Sequence, residues 1–408
     1  MKILVLNAGS SSLKCELYEA DPEEVSPEAI WDAQADWKQL PGPASIRIRG
    51  KGGTPLEYNE KIESLEHSVE HLLGSLVRGG RAALRSFDEI SIVGHRVVHG
   101  GDRYRHSTRL TADVRAGIGE LAPFAPLHNP LALAVIQATD KVLGPTVSQI
   151  AVFDTSFHAT LPAESYLYPG PKEWATRGLR RYGFHGISHQ YLSRKAAAML
   201  MPVCGKPASE LRVITCHLGN GCSLCALKGG VSVETTMGFT PLEGLMMGSR
   251  SGTVDPGLLL YLMKHDGCTA DELDQILNHR SGLEGLSGVS SDMRQVMAAA
   301  GNGDSDAKQA LAVYVYRLAY FISALVPSLG GLDGLVFAGG IGENSSEIRQ
   351  RTCDPLSFLG ISIDSELNRQ SGNDRFISAK GSKPAVAVIR TRENYQIALE
   401  CLTLIGTQ

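Results

Sequence analysis

Three short stretches set glycine among small polar residues beside apolar runs. Asn7-Ala8-Gly9-Ser10-Ser11-Ser12 joins two such runs, His217-Leu218-Gly219-Asn220-Gly221 joins two more, and Gly339-Gly340-Ile341-Gly342-Glu343-Asn344 follows another. Turns of this kind bring backbone N–H groups together with no side chains in the way, which is how a chain grips phosphate oxygens. Glycine also adopts the positive φ that they need. The first two are not Walker A loops, because the Gly-x-x-x-x-Gly-Lys-Ser/Thr pattern is missing. Nor are they dinucleotide fingerprints, because each leads into a strand and not a helix. Taken singly, each is a hairpin turn. Two in corresponding places, with a third ahead of a helix N-terminus that favours anions, point to a bound nucleotide.

Charged residues stand at the ends of apolar runs. Gly94-His95-Arg96-Val97-Val98-His99-Gly100-Gly101 puts an arginine close to paired glycines, and arginine captures carboxylate or phosphate bidentately. Flanked by apolar strand residues, Arg96 is expected to be buried with a partner or ligand. Phe153-Asp154-Thr155-Ser156-Phe157-His158 carries an Asp at the C-terminal end of an apolar strand, where α/β proteins bind ligands. A capping Asp is the plainer alternative. Tyr182-Gly183-Phe184-His185-Gly186-Ile187-Ser188-His189 has two histidines at i,i+4, the spacing of two metal ligands on one helix face. Gly183 and Gly186 argue against a helix there and no third ligand follows, so one histidine at an anion site fits better. Met247-Gly248-Ser249-Arg250-Ser251-Gly252 sets an arginine among small residues, suited to stabilising a transferring phosphoryl group. Gly288-Val289-Ser290-Ser291-Asp292-Met293-Arg294 opens a helix with a Ser cap and an early Asp.

The whole chain sets limits on these readings. It has 408 residues, 39 basic and 43 acidic, with a net charge of −4 and 43% hydrophobic residues. Disorder needs low hydrophobicity and high charge, and a nucleic-acid partner needs a basic face; neither is present. Glycine is in excess, with 44 residues, about 11% against a usual 7% or so. The first apolar run is too short for a signal peptide, and Arg317 interrupts the most apolar helical stretch, residues 311–326, which reads as a buried helix and not a span. The eight cysteines do not form a disulfide framework in a chain this long. Cys222 and Cys225 lie three apart in a strand-like run, so their thiols should diverge. A cytoplasmic protein with no membrane segment is expected.

The elements that position these residues read as α/β. Strands are expected at residues 3–6, 13–18, 90–98, 147–153, 211–216, 222–227, 231–235, 334–338 and 385–389. Helical spacing covers 62–77, 306–326 and the closing stretch 395–404, and Asn129-Pro130 reads as an N-cap followed by Pro at the first helical position. Residues 19–60, polar and carrying Pro22, Pro27, Pro41, Pro43 and Pro55, suggest loops and edge strands. The order strand, glycine turn, strand recurs half a chain later, a weak internal duplication that predicts two similar α/β domains.

These motifs, with Pro126-Leu127-His128-Asn129-Pro130, resemble the acetate kinase (acetokinase) family across the whole chain. The resemblance implies the actin-like ATPase fold: two duplicated ribonuclease H-like domains with an interdomain active-site cleft. The first domain would be discontinuous, residues 1–154 with 390–408, and the second 155–389. It implies a homodimer, Mg²⁺ (or Mn²⁺) as cofactor, and ATP/ADP with acetate/acetyl phosphate as substrates. Roles follow motif by motif. Asn7 and Glu393 match metal positions, and Lys14 a position near the nucleotide phosphates. His217-Leu218-Gly219-Asn220-Gly221 matches the phosphate loop. Asp292-Met293-Arg294 and Gly340-Ile341-Gly342-Glu343-Asn344 match the adenosine-holding segments. Arg96 matches the acetate-binding arginine, and Asp154 the catalytic aspartate. His185 and Arg250 match the residues that stabilise the transition state, and Val98, Leu127, Phe184 and Pro241 the acyl pocket. Where the family commonly has two adjacent acidic residues, this chain has Glu393 and then Asn394.

The implied chemistry is coherent. Acetate is already an anion at neutral pH and needs no general base. What opposes reaction is the approach of a carboxylate to a polyanion, which Arg96, Arg250, Mg²⁺ and a protonated His185 would offset. Direct in-line transfer without a phosphoenzyme is expected, with Asp154 orienting Mg²⁺ or water. A propionate or butyrate kinase is the nearest alternative, because one methylene discriminates by only about 1–3 kcal/mol. A pyrophosphate donor is another. A non-catalytic, nucleotide-gated module on the same fold is the alternative of another class, and for it Arg96, His185 and Arg250 would be superfluous.

Overall fold

The computed structural model describes residues 1–9, 11–21 and 27–406; Ser10 of the first glycine turn and Pro22 lie outside them. The chain forms two compact units, Met1–Phe157 with Arg392–Gln408, and His158–Thr391.

The first unit is built on an eight-stranded sheet. Its strands are β1 (Lys2–Gly9), β2 (Ser12–Glu19), β3 (Glu28–Trp37), β4 (Gly42–Gly50), β5 (Leu56–Ile62), β6 (Ile92–Val97), β7 (Thr108–Arg109) and β8 (Ser148–Phe153), in the order β5-β4-β3-β2-β1-β6-β8-β7. β1 runs antiparallel to β2 and parallel to β6, which in turn is parallel to β8. Residues 19–60, expected as loops and edge strands, instead supply three full strands. Their polar composition hides a period of two: Trp31, Ala33, Ala35 and Trp37 of β3, and Ala44, Ile46 and Ile48 of β4, are buried while the residues between them are more open. That buried face shares a core with Val69, Leu72, Leu73 and Leu76 of the helix Leu65–Val77. The helix starts later than its spacing predicted, because Ile62 ends β5 and Ser64 Oγ caps by accepting from His67 N at 3.1 Å.

The closing helix, Glu393–Gly406, packs on the same sheet. Gly94 explains how it fits: a Cβ there would stand 2.6 Å from Ile397 Cγ2 and 2.7 Å from Cys401 Sγ. A residue that weakens a strand on propensity alone is thus what lets the helix lie close against it.

The second unit repeats the plan. Its strands are β9 (Arg212–Leu218), β10 (Cys222–Lys228), β11 (Val231–Thr235), β12 (Gly334–Ala338), β13 (Arg375–Phe376) and β14 (Ala385–Val388), in the order β11-β10-β9-β12-β14-β13. Here β9, β10 and β11 form the antiparallel ribbon, and β9, β12 and β14 run parallel. The run β11-β10-β9-β12-β14 therefore matches β3-β2-β1-β6-β8 strand for strand, and the weak sequence repeat is a repeat of topology. All eight cysteines are free thiols. Cys222 Sγ lies 3.3 Å from the Tyr314 hydroxyl and Cys225 Sγ 3.2 Å from Ser232 Oγ, so the two side chains do diverge. The helix Ser305–Leu329 is long and apolar enough to cross a bilayer, but it buries Leu311, Tyr314, Leu318 and Ile322 within its own unit.

Candidate active site

In the first unit, Asn7, Arg96 and Asp154 lie at the C-terminal ends of the parallel neighbours β1, β6 and β8, where the open end of such a sheet receives ligands. Glu393 opens the closing helix beside them. The side chains are directly connected. Arg96 Nε and Nη2 donate to Asp154 Oδ2 at 3.0 and 2.6 Å, and Arg96 Nη1 donates to Asn7 Oδ1 at 3.3 Å. Asn7 Nδ2 donates to Glu393 Oε2 at 3.2 Å and to Asn394 Oδ1 at 3.0 Å. Burial alone would lower the Arg96 pKa, but the charges of Asp154 and Glu393 overcome that and raise it. Among the described residues this commits three of the five guanidinium N–H groups. One on each Nη is left, the pair that a planar carboxylate can accept from. One cation set against two carboxylates leaves the group one negative charge in excess. Its carboxylate and carboxamide oxygens are the hard donors that suit Mg²⁺. Lys14 pairs with Asn7 across the β1–β2 hairpin and is exposed.

Asn394 orients Asn7. Its Nδ2 donates to Glu16 Oε1 at 2.9 Å, which turns its Oδ1 towards Asn7 Nδ2. The Tyr18 hydroxyl donates to the other Glu16 oxygen. Asn7 thereby presents its amide nitrogen to Glu393 and Asn394 and its oxygen to Arg96.

Of the expected acyl-pocket residues in this unit, Val98 is buried, whereas Leu127 is 53% exposed. Asn129 is not the helix cap that its position before Pro130 predicted. The helix is Asn129–Leu143, preceded by His128, and the fully buried Asn129 side chain clamps the backbone after Val98. Its Oδ1 accepts from His99 N at 3.1 Å and its Nδ2 donates to His99 O at 3.0 Å. A buried amide that satisfies a loop's N–H and C=O together fixes that loop.

In the second unit, His185 is the one described non-glycine residue with positive φ, at 56°. It precedes the helix Gly186–Cys204, so a helix does begin where Gly186 argued against one. The glycine falls at the first helical position, where it interrupts no established turn. His185 Nδ1 and His189 Nε2 each lie 2.8 Å from the same Ser223 hydroxyl. His185 and Arg250 meet at the second glycine turn. A Cβ on Gly221 would stand 3.3 Å from His185 Nε2 and 3.7 Å from Arg250 Nη1. Arg250 Nη1 donates to Pro241 O at 3.1 Å, and Gly248 N donates to Asn220 O at 3.0 Å. Phe184, 1% exposed, has its carbonyl held by His158 Nε2 at 3.1 Å. Burial lowers the His158 pKa to about 4 and so keeps that ring neutral.

The remaining segments gather around the same turn. Gly339 (φ 75°) passes so close that a Cβ would fall 2.8 Å from Leu218 N. The third glycine stretch is not an open loop but a short helix, Gly339–Asn344, followed by Ser345 capping the helix Ser346–Cys353. Within it Gly340 is open to solvent, while Glu343 Oε1 accepts from Gly339 N at 3.0 Å and Thr391 N at 2.9 Å. Glu343 thus braces Thr391 and does not face outward. Asp292, and not a serine, caps the helix Met293–Gly301, and its carboxylate pairs with the exposed Arg294 at 2.6 Å.

Sequence reasoning did not find Glu16, Asn394, Ser223 or Thr215 as site residues. Only Asn394 carried a signal, as a departure from an acidic pair. Away from both groups, Glu60, His67 and His71 have ligating atoms within 4.8 Å of one another. Their ring nitrogens already engage the Tyr58 hydroxyl (2.7 Å) and Glu63 N (3.2 Å).

Comparison with known proteins gives one answer. The sequence profile described as "Acetokinase family" matches residues 2–399. An acetate kinase from Cyanothece sp. is 49% identical over 100% of this chain and 99% of its own length. One from Gloeobacter violaceus is 50% identical over 98% of each. Among solved structures, Porphyromonas gingivalis acetate kinase is 38% identical with a TM-score of 0.88, covering 99% of both chains. A propionate kinase from Francisella tularensis is 36% identical with a TM-score of 0.87, covering 98% of both. The duplicated sheets are those of the actin-like ATPase fold, and the chain belongs to the acetokinase family of kinases.

Proposed function

We propose that the chain catalyses reversible, Mg²⁺-dependent phosphoryl transfer between ATP and acetate, giving acetyl phosphate and ADP. The observation that carries this reading is the Arg96 fork. Asp154 and Asn7 hold it, and two N–H groups are left to take a carboxylate. Asn7 and Glu393 would hold Mg²⁺, which when bound offsets the charge of the β- and γ-phosphates. The turn at residues 217–221 cradles phosphate oxygens with its backbone N–H groups, aided by Lys14. Asp292 to Arg294 and Gly340 to Asn344 border the nucleoside. Arg250 and His185 face the phosphoryl group as it passes, in line, to the acetate oxygen. Asp154, whose Oδ2 holds Arg96, would orient Mg²⁺ or a water and not remove a proton. On this reading the first domain, residues 1–154 with 390–408, is the acetate side and the second, residues 155–389, is the nucleotide side.

Val98, Leu127, Phe184 and Pro241 favour the two-carbon acid. With acyl phosphate trapped as hydroxamate, kcat/KM is expected to fall about 10-fold or more from acetate to propionate, and again to butyrate. A propionate or butyrate optimum would replace acetate as the substrate, and acyl phosphate formed from pyrophosphate but not ATP would replace the donor.

The same reading takes the chain as a cytoplasmic homodimer. Free thiols support a reducing compartment. Exposed Leu258, Leu260, Tyr261 and Met263 of the helix Pro256–His265, with Tyr316 and Tyr320, offer the apolar surface that a second copy would cover. Sedimentation equilibrium should give twice the chain mass, and a monomer at micromolar concentration would refute the dimer.

A further inference from the structure

His185 is held by more than its own helix. Its Nδ1 lies 2.8 Å from Ser223 Oγ, that hydroxyl lies 2.8 Å from His189 Nε2, and His189 Nδ1 lies 2.8 Å from Thr215 Oγ1. Ser223 is on β10, Thr215 is on β9, His189 is in the first turn of the helix Gly186–Cys204, and all three are fully buried. Two further contacts brace the assembly without joining it. His158 Nε2 donates to the Phe184 carbonyl, and His217, whose ring is 4.4 Å from that of His185, has its Nδ1 on Ser188 Oγ at 2.8 Å.

The hydrogen bonds have a direction, which the chemistry of each group sets. The Thr215 hydroxyl has the Cys225 carbonyl, which can only accept, at 3.5 Å. Its oxygen is then left to accept from His189 Nδ1–H. Burial, reinforced by the neighbouring imidazoles of His158 and His217, holds the His189 pKa well below the usual histidine range. A neutral imidazole has one N–H, already committed, so His189 Nε2 accepts from Ser223 Oγ–H. Ser223 has one proton, now used, so its oxygen accepts from His185 Nδ1–H.

We propose that Thr215, His189 and Ser223 are positioning residues that fix His185 as the Nδ1–H tautomer, with Nε2 turned to the turn at residues 217–221 and to Arg250. The proposal rests on the reading of His185 as a residue that meets the transferring phosphoryl group, and it says how. Neutral His185 carries its lone pair at Nε2. Taking up one proton there gives an imidazolium whose Nδ1–H is still bound to Ser223 and whose new N–H points at the turn, so no other group in the relay moves. With the opposite polarity, Nδ1 would accept from Ser223. Charging the ring would then require the serine, His189 and the threonine all to reorganise. An arrangement that needs no reorganisation as charge develops is the one that lowers a barrier.

Tautomers are read directly from long-range ¹H–¹⁵N correlations of the imidazoles in the full-length protein, at a pH where the spectra show the ring neutral. The native His185 should be Nδ1–H. Thr215→Val removes the acceptor at the far end, leaves a buried His189 N–H without a partner, and so should reverse the chain and convert His185 to Nε2–H. Ser223→Ala cuts the link and should release His185 to a mixture. It should also lower kcat roughly 10–100-fold, with KM for ATP within about twofold. A role in packing alone would move none of these spectra. A native Nε2–H tautomer, or Nδ1–H retained in both variants, overturns the proposal. If Thr215→Val does not fold, the smaller Ser223→Ala change carries the test. If the tautomers behave as expected but His185→Ala keeps full activity, the relay stands and the assignment of His185 to phosphoryl transfer fails.

Discussion

Arg250→Ala is expected to lower kcat by about 10³-fold or more, with KM for ATP changed only a few-fold. The size follows from what an arginine does for a transferring phosphoryl group, where its charge and planar donors are worth about 10³–10⁵ in rate. The asymmetry between kcat and KM follows from the geometry. Arg250 is tethered through Nη1 to the Pro241 carbonyl at 3.1 Å, and its guanidinium lies against Gly221. It is therefore held in place without substrate, and on the proposed reading it would serve the phosphoryl group. On the proposed reading the nucleotide is held mainly by backbone N–H groups, which removal of the Arg250 side chain leaves in place. Arg250→Lys keeps the charge but loses the fork and the tether, so it should recover only part of the rate. Steady-state kinetics with acetyl phosphate trapped as hydroxamate measure both. A kcat within tenfold of the parent would remove Arg250 from the reaction and reopen the reading of the fold as a non-catalytic, nucleotide-gated module.

What the sequence revealed and what it concealed divide along physical lines. Of the three glycine stretches only the third shows the expected positive φ, at Gly339; Gly9, Gly219 and Gly221 do not, and what was legible there was the strand–turn–strand order. Gly339 at φ 75° against Leu218, and Gly221 against His185 and Arg250, are positions where a Cβ has little or no room. Arg96 and Asp154 were legible because a charge at the end of an apolar run has to find a partner, although that they would find each other was not. Residues 19–60 misled because prolines and charges mask an alternation that only pairing reveals. Pro41 and Pro43 lie just before and near the start of β4, so neither interrupts the middle of a strand. Asn129 misled because Asn before Pro is a good cap on local grounds, and only the His99 backbone, 30 residues away, outbids that use. Thr215 and Ser223 could not be seen at all, since a hydroxyl in an apolar strand reads as an ordinary strand residue until a histidine from another element is placed over it. Asn394 joins Asn7 across 387 positions, and no local pattern carries that information.

The second large effect is expected at Asp154, and it separates two roles that one residue combines. Asp154 is 2% exposed, and its Oδ2 accepts two N–H groups of Arg96. Asp154→Ala should abolish measurable transfer, because Arg96 loses the partner that aims its fork. It should also destabilise the protein by about 3 kcal/mol. Breaking a buried ion pair by removing one partner costs about 3–5 kcal/mol. The lower end applies because the Arg96 side chain is 18% exposed and Glu393 still faces it through Asn7. Asp154→Asn keeps an acceptor of the same shape without the charge, so it should lose less stability and nearly as much activity. The decisive variant removes both charges. Arg96→Met combined with Asp154→Leu removes the buried pair together and leaves Glu393 half-buried with its Asn7 amide donor, and apolar replacement of a buried pair is commonly neutral or stabilising. The double variant should therefore regain most of the urea midpoint lost in Asp154→Ala and none of the acetate-dependent activity. If its stability stayed as low as that of Asp154→Ala, the cost would lie in packing and not in a stranded guanidinium. If Asp154→Ala kept its stability and lost only rate, Asp154 would be acting on substrate or metal alone, and its bond to Arg96 would be incidental to the chemistry.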